Sequence, residues 1–180
     1  MGIDVIEIIE RYYGHDTDAG RLLIKHSRQV AEMALAIAGS KPELGIDTEF
    51  VREAAMLHDI GIYLTDAPDI YCHGSEPYIK HGILGRELLD TLGLPRHALV
   101  CERHTGAGIS LVDIREQQLP LPLRDMLPVS IEEKLVCYAD KFYSKSHPDR
   151  VIAYEEAHKK LHKYGEATVA RFEALHRLFG

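Results

Sequence analysis

The chain has 180 residues, 46% of them hydrophobic and 27% charged, the proportions of an ordinary globular protein with room for a real core in one domain. Its net charge of −7 argues against a protein that wraps duplex nucleic acid, which is usually basic, and favours a small substrate held by a few local cations. No run of 18 or more apolar residues exists, so no membrane span is expected.

The segment Met1-Gly2-Ile3-Asp4-Val5-Ile6-Glu7 is acidic and lacks the basic start of a signal peptide. Residues 3–13 carry Val5, Ile6, Ile8, Ile9, Tyr12 and Tyr13 at helical spacing, and Gly14 can end that helix. A second helix is predicted over 18–38, with His26 on the apolar face of Leu22, Leu23 and Val30. A turn at 39–45 precedes a helix capped by Asp47 or Thr48 and running to about Asp59, with Gly61 in the left-handed position just past its end. Residues 62–75 read as a loop. Pro77 fits the first turn of a helix to Leu92, in which His81 shares a face with Leu84, Leu88 and Leu92. Gly82 and Gly85 are unfavourable inside it, each by roughly 1 kcal/mol against Ala, so either substrate or backbone approaches closely there or helices pack tightly. Pro95 opens a helix ending near His104. Residues 105–129, with Leu119-Pro120-Leu121-Pro122-Leu123, read as irregular, and a stretch that long inside a compact domain is often functional; a cover over the site is expected. Ser130-Ile131-Glu132-Glu133 is a capping box opening a helix to about Ser144, and two helices, about 148–164 and 166–179, finish the chain. The fold class is therefore all-α, a bundle of about seven to eight helices.

Six residues stand out along this order: His26, His58, Asp59, His81, His104 and Asp140. Imidazole nitrogens and carboxylates suit Fe, Mn, Zn, Ni or Co, whereas an all-oxygen site would suit Mg or Ca. Four His and two Asp exceed one tetrahedral site, so two metals sharing a bridging carboxylate are expected. His58 and Asp59 are adjacent, about 100° apart on a helix, and reach one metal only if the last turn unwinds.

His26, the run His58-Asp59-Ile60-Gly61, and Asp140 in Tyr138-Ala139-Asp140-Lys141 resemble the HD-domain superfamily of metal-dependent phosphohydrolases, HDIG subtype, over roughly residues 20 to 146. The resemblance implies one HD domain over 1–180, with a metal-binding core at about 20–146 and C-terminal helices at about 148–179. It assigns His26, His58, Asp59 and Asp140 to a first metal. His81 and His104 match the extra histidines of the binuclear branch and, with Asp59 as bridge, imply a second. Two divalent transition-metal ions follow, iron foremost, with Mn, Ni, Co or Zn as alternatives. The implied activity is hydrolysis of a nucleotide or related phosphoester or phosphoanhydride by metal-activated hydroxide. By ligand order the chain is similar to bacterial hydrolases that split dinucleoside tetraphosphates. It departs from many binuclear relatives in having Ile62, Tyr63 and Leu64 where a lysine follows the HD pair.

Around this set, Asp59 is the catalytic metal bridge, and His73, in the loop between ligand segments, is a candidate acid. Arg103, Thr105 and Lys141 are candidate phosphate contacts, since each neighbours a ligand. Thr105-Gly106-Ala107-Gly108 could cradle a phosphate or simply end a helix. His15, His97, His158, His162 and His176 read as solvated surface. Cys72, Cys101 and Cys137 never form CxxC and read as reduced, buried thiols of a cytoplasmic protein. The expected partner is a small phosphorylated molecule, with no duplex nucleic acid and no membrane; a homodimer is compatible with this reading. Two other functions stay open. One is a mixed-valent di-iron oxygenase of the same fold acting on a hydroxyphosphonate or polyol; the other is a nucleotide-sensing module.

Overall fold

A computed structural model describes residues 3–180. Among them lie nine α-helices: α1 (Val5–Tyr13), α2 (Asp18–Ser40), α3 (Thr48–Leu57), α4 (His81–Thr91), α5 (Pro95–Arg103), α6 (Leu111–Glu116), α7 (Ile131–Asp140), α8 (Tyr154–Leu161) and α9 (Glu166–Phe179). The only sheet among the described residues is a ribbon of β1 (Asp66–Ala67) against β2 (Cys72–His73), antiparallel. The chain is thus essentially all-α, as its periodicity predicts. No described helix is long and apolar enough to cross a membrane.

Side-chain caps set most helix starts. Asp4, Thr17 and Asp47 accept from free amides of α1, α2 and α3. The helix beyond the expected seven to eight is α6, inside the stretch read as irregular. Ser110 and Asp113 form its reciprocal capping box. The box predicted at Ser130 is half formed: Ser130 accepts from Glu133 N, but Glu133 turns to Arg103 and to Val129 N.

Three boundaries differ from expectation. The predicted loop at 62–75 holds the β-ribbon and 3₁₀ turns at Ile60–Leu64 and Pro68–Ile70. The helix expected from Pro77 begins as a 3₁₀ turn, Tyr78–Lys80, so that His81 opens α4 instead of lying inside it. The helix expected to reach Ser144 stops at Asp140, and the one expected from 148 starts at Tyr154, leaving 141–153 in turns.

Gly61 does not adopt the left-handed conformation expected of it; it lies in the 3₁₀ turn. Its role is steric, because a Cβ there would stand 2.2 Å from His81 O and 2.4 Å from Gly85 N. Gly85 would in turn press on Cys101 Sγ at 2.2 Å, and Gly82 on Cys101 O at 2.8 Å. The two glycines of α4 therefore serve tight packing against α5 and the Ile60–Leu64 turn.

Two apolar clusters flank a polar seam. One joins Val30, Val51, Leu135, Phe172 and their neighbours; the other joins Ile9, Leu23, Leu57, Ile60 and Leu89. His26 lies between Leu23 of the second and Val30 of the first, and His58 follows Leu57 of the second. A smaller cluster of Ile114, Leu121 and Met126 packs on Ile79 and Ile83. It fixes residues 105–129 beside α4.

Candidate metal centre

The six ladder residues come from five separate stretches and meet in the seam. His26 projects from the middle of α2, His58 caps the end of α3, His81 opens α4, His104 caps α5, and Asp140 ends α7. Asp59 has φ −108° and ψ 12°, the bridge conformation in which α3 unwinds into its 3₁₀ turn. That unwinding lets adjacent residues 58 and 59 face one point. Two groups result, each with donor atoms mutually within 4.8 Å: His26, His58, Asp59 and Asp140, and Asp59, His81 and His104. Asp59 belongs to both. Its Oδ2 lies 3.2 Å from His26 Nε2 and 3.0 Å from His58 Nε2; its Oδ1 lies 3.5 Å from His81 Nε2 and 3.3 Å from His104 Nε2.

The proton positions follow from the second ring nitrogens. Nδ1 of His58, His81 and His104 donates to the carbonyls of Ala55 (2.6 Å), Tyr78 (2.7 Å) and Cys101 (2.7 Å), each three residues earlier. A carbonyl only accepts, so each Nδ1 carries a proton; His81 and His104, kept neutral by burial, turn a lone pair inward at Nε2, whereas metal-free His58 holds a second proton at Nε2 against Asp59 and Asp140. His81 and His104 Nε2 are 3.1 Å apart, lone pair against lone pair, next to a carboxylate. Asp59 Oδ1, which faces these two rings, has no hydrogen-bond partner, while Oδ2 is met by the ammonium of Lys145 at 2.6 Å. Buried acceptors facing one another without a donor are what a cation would relieve, and these residues fit divalent transition metals.

The electrostatics agree. Burial pushes His81 down to about 3, helped by neighbouring His104 and Lys145, and burial also lowers His104. Burial opposes protonation of His58 as well, but Asp59 and Asp140 outweigh it and raise it to about 9. Burial would raise both carboxyls; Lys145 and His58 hold Asp59 well below the usual range, and Lys141 with His26 and His58 does the same for Asp140.

The remaining candidates are placed as follows. Lys141 Nζ lies 2.7 Å from Asp140 Oδ2 and donates to His104 O at 3.3 Å. Thr105 Oγ1 stands 3.4 Å from His81 Nε2. Arg103 points away and pairs with Glu133 at 2.9 Å. His73 is exposed on β2, opposite Asp66, and outside both groups. Thr105 to Gly108 closes on itself as a turn, Gly108 N bonding Thr105 O at 3.0 Å. Two histidines read as solvated are not: His97 is buried against Phe50 and Glu53, and His176 stacks on Tyr154 and bonds Tyr138.

Lys145 escaped the sequence reading. Its Nζ lies 2.6 Å from Asp59 Oδ2, and those carboxylates hold it protonated against burial. A lysine thus reaches the HD pair from the far end of the chain, not from the residues that follow the pair. Its only signal was nearness to Asp140, obscured by the expected continuation of α7. Tyr78, stacked on His81 with centroids 4.7 Å apart, was missed for the same kind of reason.

A cleft of about 450 Å³ opens from this centre, bordered by Asp140, Lys141, Lys145, Tyr78, Lys160 and Lys163. A smaller cavity of about 90 Å³ lies beside Thr105, walled by Ile79, Ile109, Leu119 and Tyr164. Residues 105–129 form a wall here, pinned by Arg171 to Asp113 and by Arg124 to Glu102.

Residues 23–144 match the HD domain family. An uncharacterised protein of Methanocaldococcus jannaschii is 40% identical over 121 residues, covering 66% of this chain and 64% of the relative. A tRNA (cytidine(56)-2'-O)-methyltransferase of Picrophilus torridus is 36% identical over 136 residues, 75% of this chain and 34% of the relative. Ribonuclease Y of Chlorobium phaeobacteroides is 36% identical over 89 residues, 49% of this chain and 14% of the relative. The chain spans less than two thirds of the length of each of these relatives. No solved structure matches it.

Proposed function

The chain belongs to the HD domain family, in general a family of metal-dependent hydrolases, and from that premise we propose that it is a binuclear phosphohydrolase of the HDIG type. Its substrate in this reading is a nucleotide or a related phosphoester or phosphoanhydride. The observation that carries the proposal is the pair of inward Nε2 lone pairs on His81 and His104, 3.1 Å apart beside Asp59 Oδ1, which has no hydrogen-bond partner. The first metal would be held by His26, His58, Asp59 and Asp140, and the second by His81, His104 and the shared Asp59.

Two divalent transition-metal ions, iron the first to test, would supply Lewis acidity and a water acidic enough to lose its proton near neutral pH. The chain's own residues do the rest. The three carbonyl-bound Nδ1 protons lock the rings so that Nε2 always faces the centre. Lys141 and Lys145 border the cleft and bring positive charge to phosphoryl oxygens. Thr105 offers a hydroxyl beside the second group. His73 is exposed on β2 and does not line the cleft, so in this reading the leaving group takes its proton from water in the open cleft. The free, buried thiols suit a reducing compartment, and a cytoplasmic location is part of the proposal.

The test is elemental analysis of reconstituted protein together with a phosphate-release screen over nucleotides, with and without chelator. Two metals per chain and chelator-sensitive release are expected. The relatives named ribonuclease Y favour a second substrate, an RNA phosphodiester, so short oligonucleotides belong in the same screen. A screen without turnover, combined with oxygen consumption by iron-loaded protein on a hydroxyphosphonate or polyol, would replace this reading by the oxygenase.

A further inference from the structure

The cleft beside Asp140 has two tiers of cations. The inner tier, Lys141 and Lys145, is already paired with Asp140 and Asp59. The outer tier is Lys160, at the end of α8, and Lys163, in the 3₁₀ turn His162–Tyr164 behind it. Both outer lysines are exposed. Lys160 has only the exposed-helix partner Glu156 at 2.8 Å, and Lys163 Nζ lies over the Tyr164 ring at 4.7 Å with no carboxylate partner among the described residues. Four lysines therefore face one cleft against two carboxylates, Asp69 and Asp140, on a chain whose net charge is −7. Ser144, Ser146 and Tyr164 also line the cleft. Lys145, Lys160, Lys163 and Tyr164 all lie beyond residues 23–144, the part that matches the family. The volume, about 450 Å³, is that of a small-molecule site.

We propose that Lys160 and Lys163 form a second phosphate subsite, which holds a non-reacting phosphate of a small substrate carrying at least two linked phosphates. This rests on the phosphohydrolase reading for the identity of the reacting phosphate, which would lie at the inner tier. Inner lysines neutralised by their own carboxylates cannot balance a polyanion by themselves; Lys163, which has no carboxylate partner among the described residues, and Lys160, whose partner Glu156 is shared with Arg150, supply the missing charge where a chain of phosphates would leave the centre. The bland account is that Lys160 and Lys163 merely complement the negative end of the α8 dipole. That account predicts an effect on thermal stability and none on ligand preference.

The experiment is calorimetric titration of metal-free protein with orthophosphate, pyrophosphate and tripolyphosphate, which needs no turnover and so fails or succeeds apart from the hydrolase reading. Tripolyphosphate is expected to bind at least about tenfold more tightly than orthophosphate at moderate salt. The double substitution K160Q/K163Q should abolish that preference while orthophosphate binding persists, and K160R/K163R should restore it. Near-equal affinities for the three ions, or a preference that survives K160Q/K163Q in a folded protein, would overturn the proposal. Displacement of tripolyphosphate by a lower concentration of single-stranded oligonucleotide lacking terminal phosphates would also overturn it, in favour of a strand-binding groove.

Discussion

At Asp59 a fully buried carboxylate stands between a lysine and four imidazoles. Removing the lysine leaves that charge without its strongest cation. K145M should destabilise the metal-free protein by about 3 kcal/mol in denaturant titrations, the scale of a broken buried pair. Metal content should be retained, because Lys145 is no ligand. Phosphate release should fall on the order of 100-fold, as when one charge-stabilising donor is lost; unchanged turnover would remove Lys145 from the chemistry. The histidines give a second prediction, in pH. His58 is raised to about 9, so its folded-state proton stabilises the metal-free protein fully below about 6.5, and that contribution is lost as pH rises toward 9. The loss is on the order of 3 kcal/mol. His81 is lowered to about 3, so its contribution is present above about 6.5 and is lost as pH falls toward 3, when the unfolded chain takes up a proton that the folded chain refuses. The depressed Asp59 and Asp140 act in the same sense further down, their contribution being lost as pH falls below the ordinary carboxylate range. The melting temperature of metal-free protein should therefore peak near about pH 6.5. Metal loading near neutral pH should release a proton from His58 and flatten the alkaline limb. Scanning fluorimetry from pH 5 to 9, with and without metal, checks both; a metal-free midpoint still climbing above pH 7.5 would contradict the assignment.

Between helices, glycine contacts set the position of the second ligand group. Gly61, Gly82 and Gly85 bring the turn after α3, α4 and α5 to backbone contact, and His81 and His104 sit at the ends of the two helices so joined. A methyl at Gly61 would meet His81 O and Gly85 N, both backbone atoms that cannot rotate aside. G61A should therefore cost about 2–3 kcal/mol, at the upper end for overpacking. It should also displace His81, so the second metal should be lost before the first. Metal stoichiometry across a chelator titration measures this; G61A protein that holds two metals with native affinity would refute the link. The 105–129 stretch behaves differently from the cover expected of it. Its helix α6, the apolar Ile114–Leu121–Met126 cluster and the Arg171 and Arg124 ion pairs make it a fixed wall beside Thr105.

For the molecule as a whole, the proposed metals act as ties across the two apolar clusters, because ligands come from α2, α3, α4, α5 and α7. Metal that binds only the folded chain adds stability by mass action, about 2.7 kcal/mol at a hundred times its dissociation constant. H81A should lose one metal and its share of that gain with the fold intact; D59N should lose both, since Asp59 alone belongs to both groups. Elemental analysis beside melting curves decides this, and an H81A protein with two metals would leave a mononuclear centre. Much of this was legible in the chain. The apolar stripes of α1, α2 and α9, the caps at Asp47 and Ser130, and the inward face of His26 follow from period and side-chain chemistry, which are local. The ligand ladder was legible because its residue types are rare together and each lies at a helix end or on an apolar face. Tertiary structure alone decided the rest. Lys145 reaches Asp59 only because α7 stops at Asp140 and the chain turns back, while Arg103 is drawn off to Glu133 and His73 is carried outward on the ribbon. His97 is buried by Phe50, and the α4 glycines answer to a neighbouring helix. The physical reason is common to all: spacing along the sequence fixes which face of its own element a side chain occupies, but what faces it depends on elements tens of residues away.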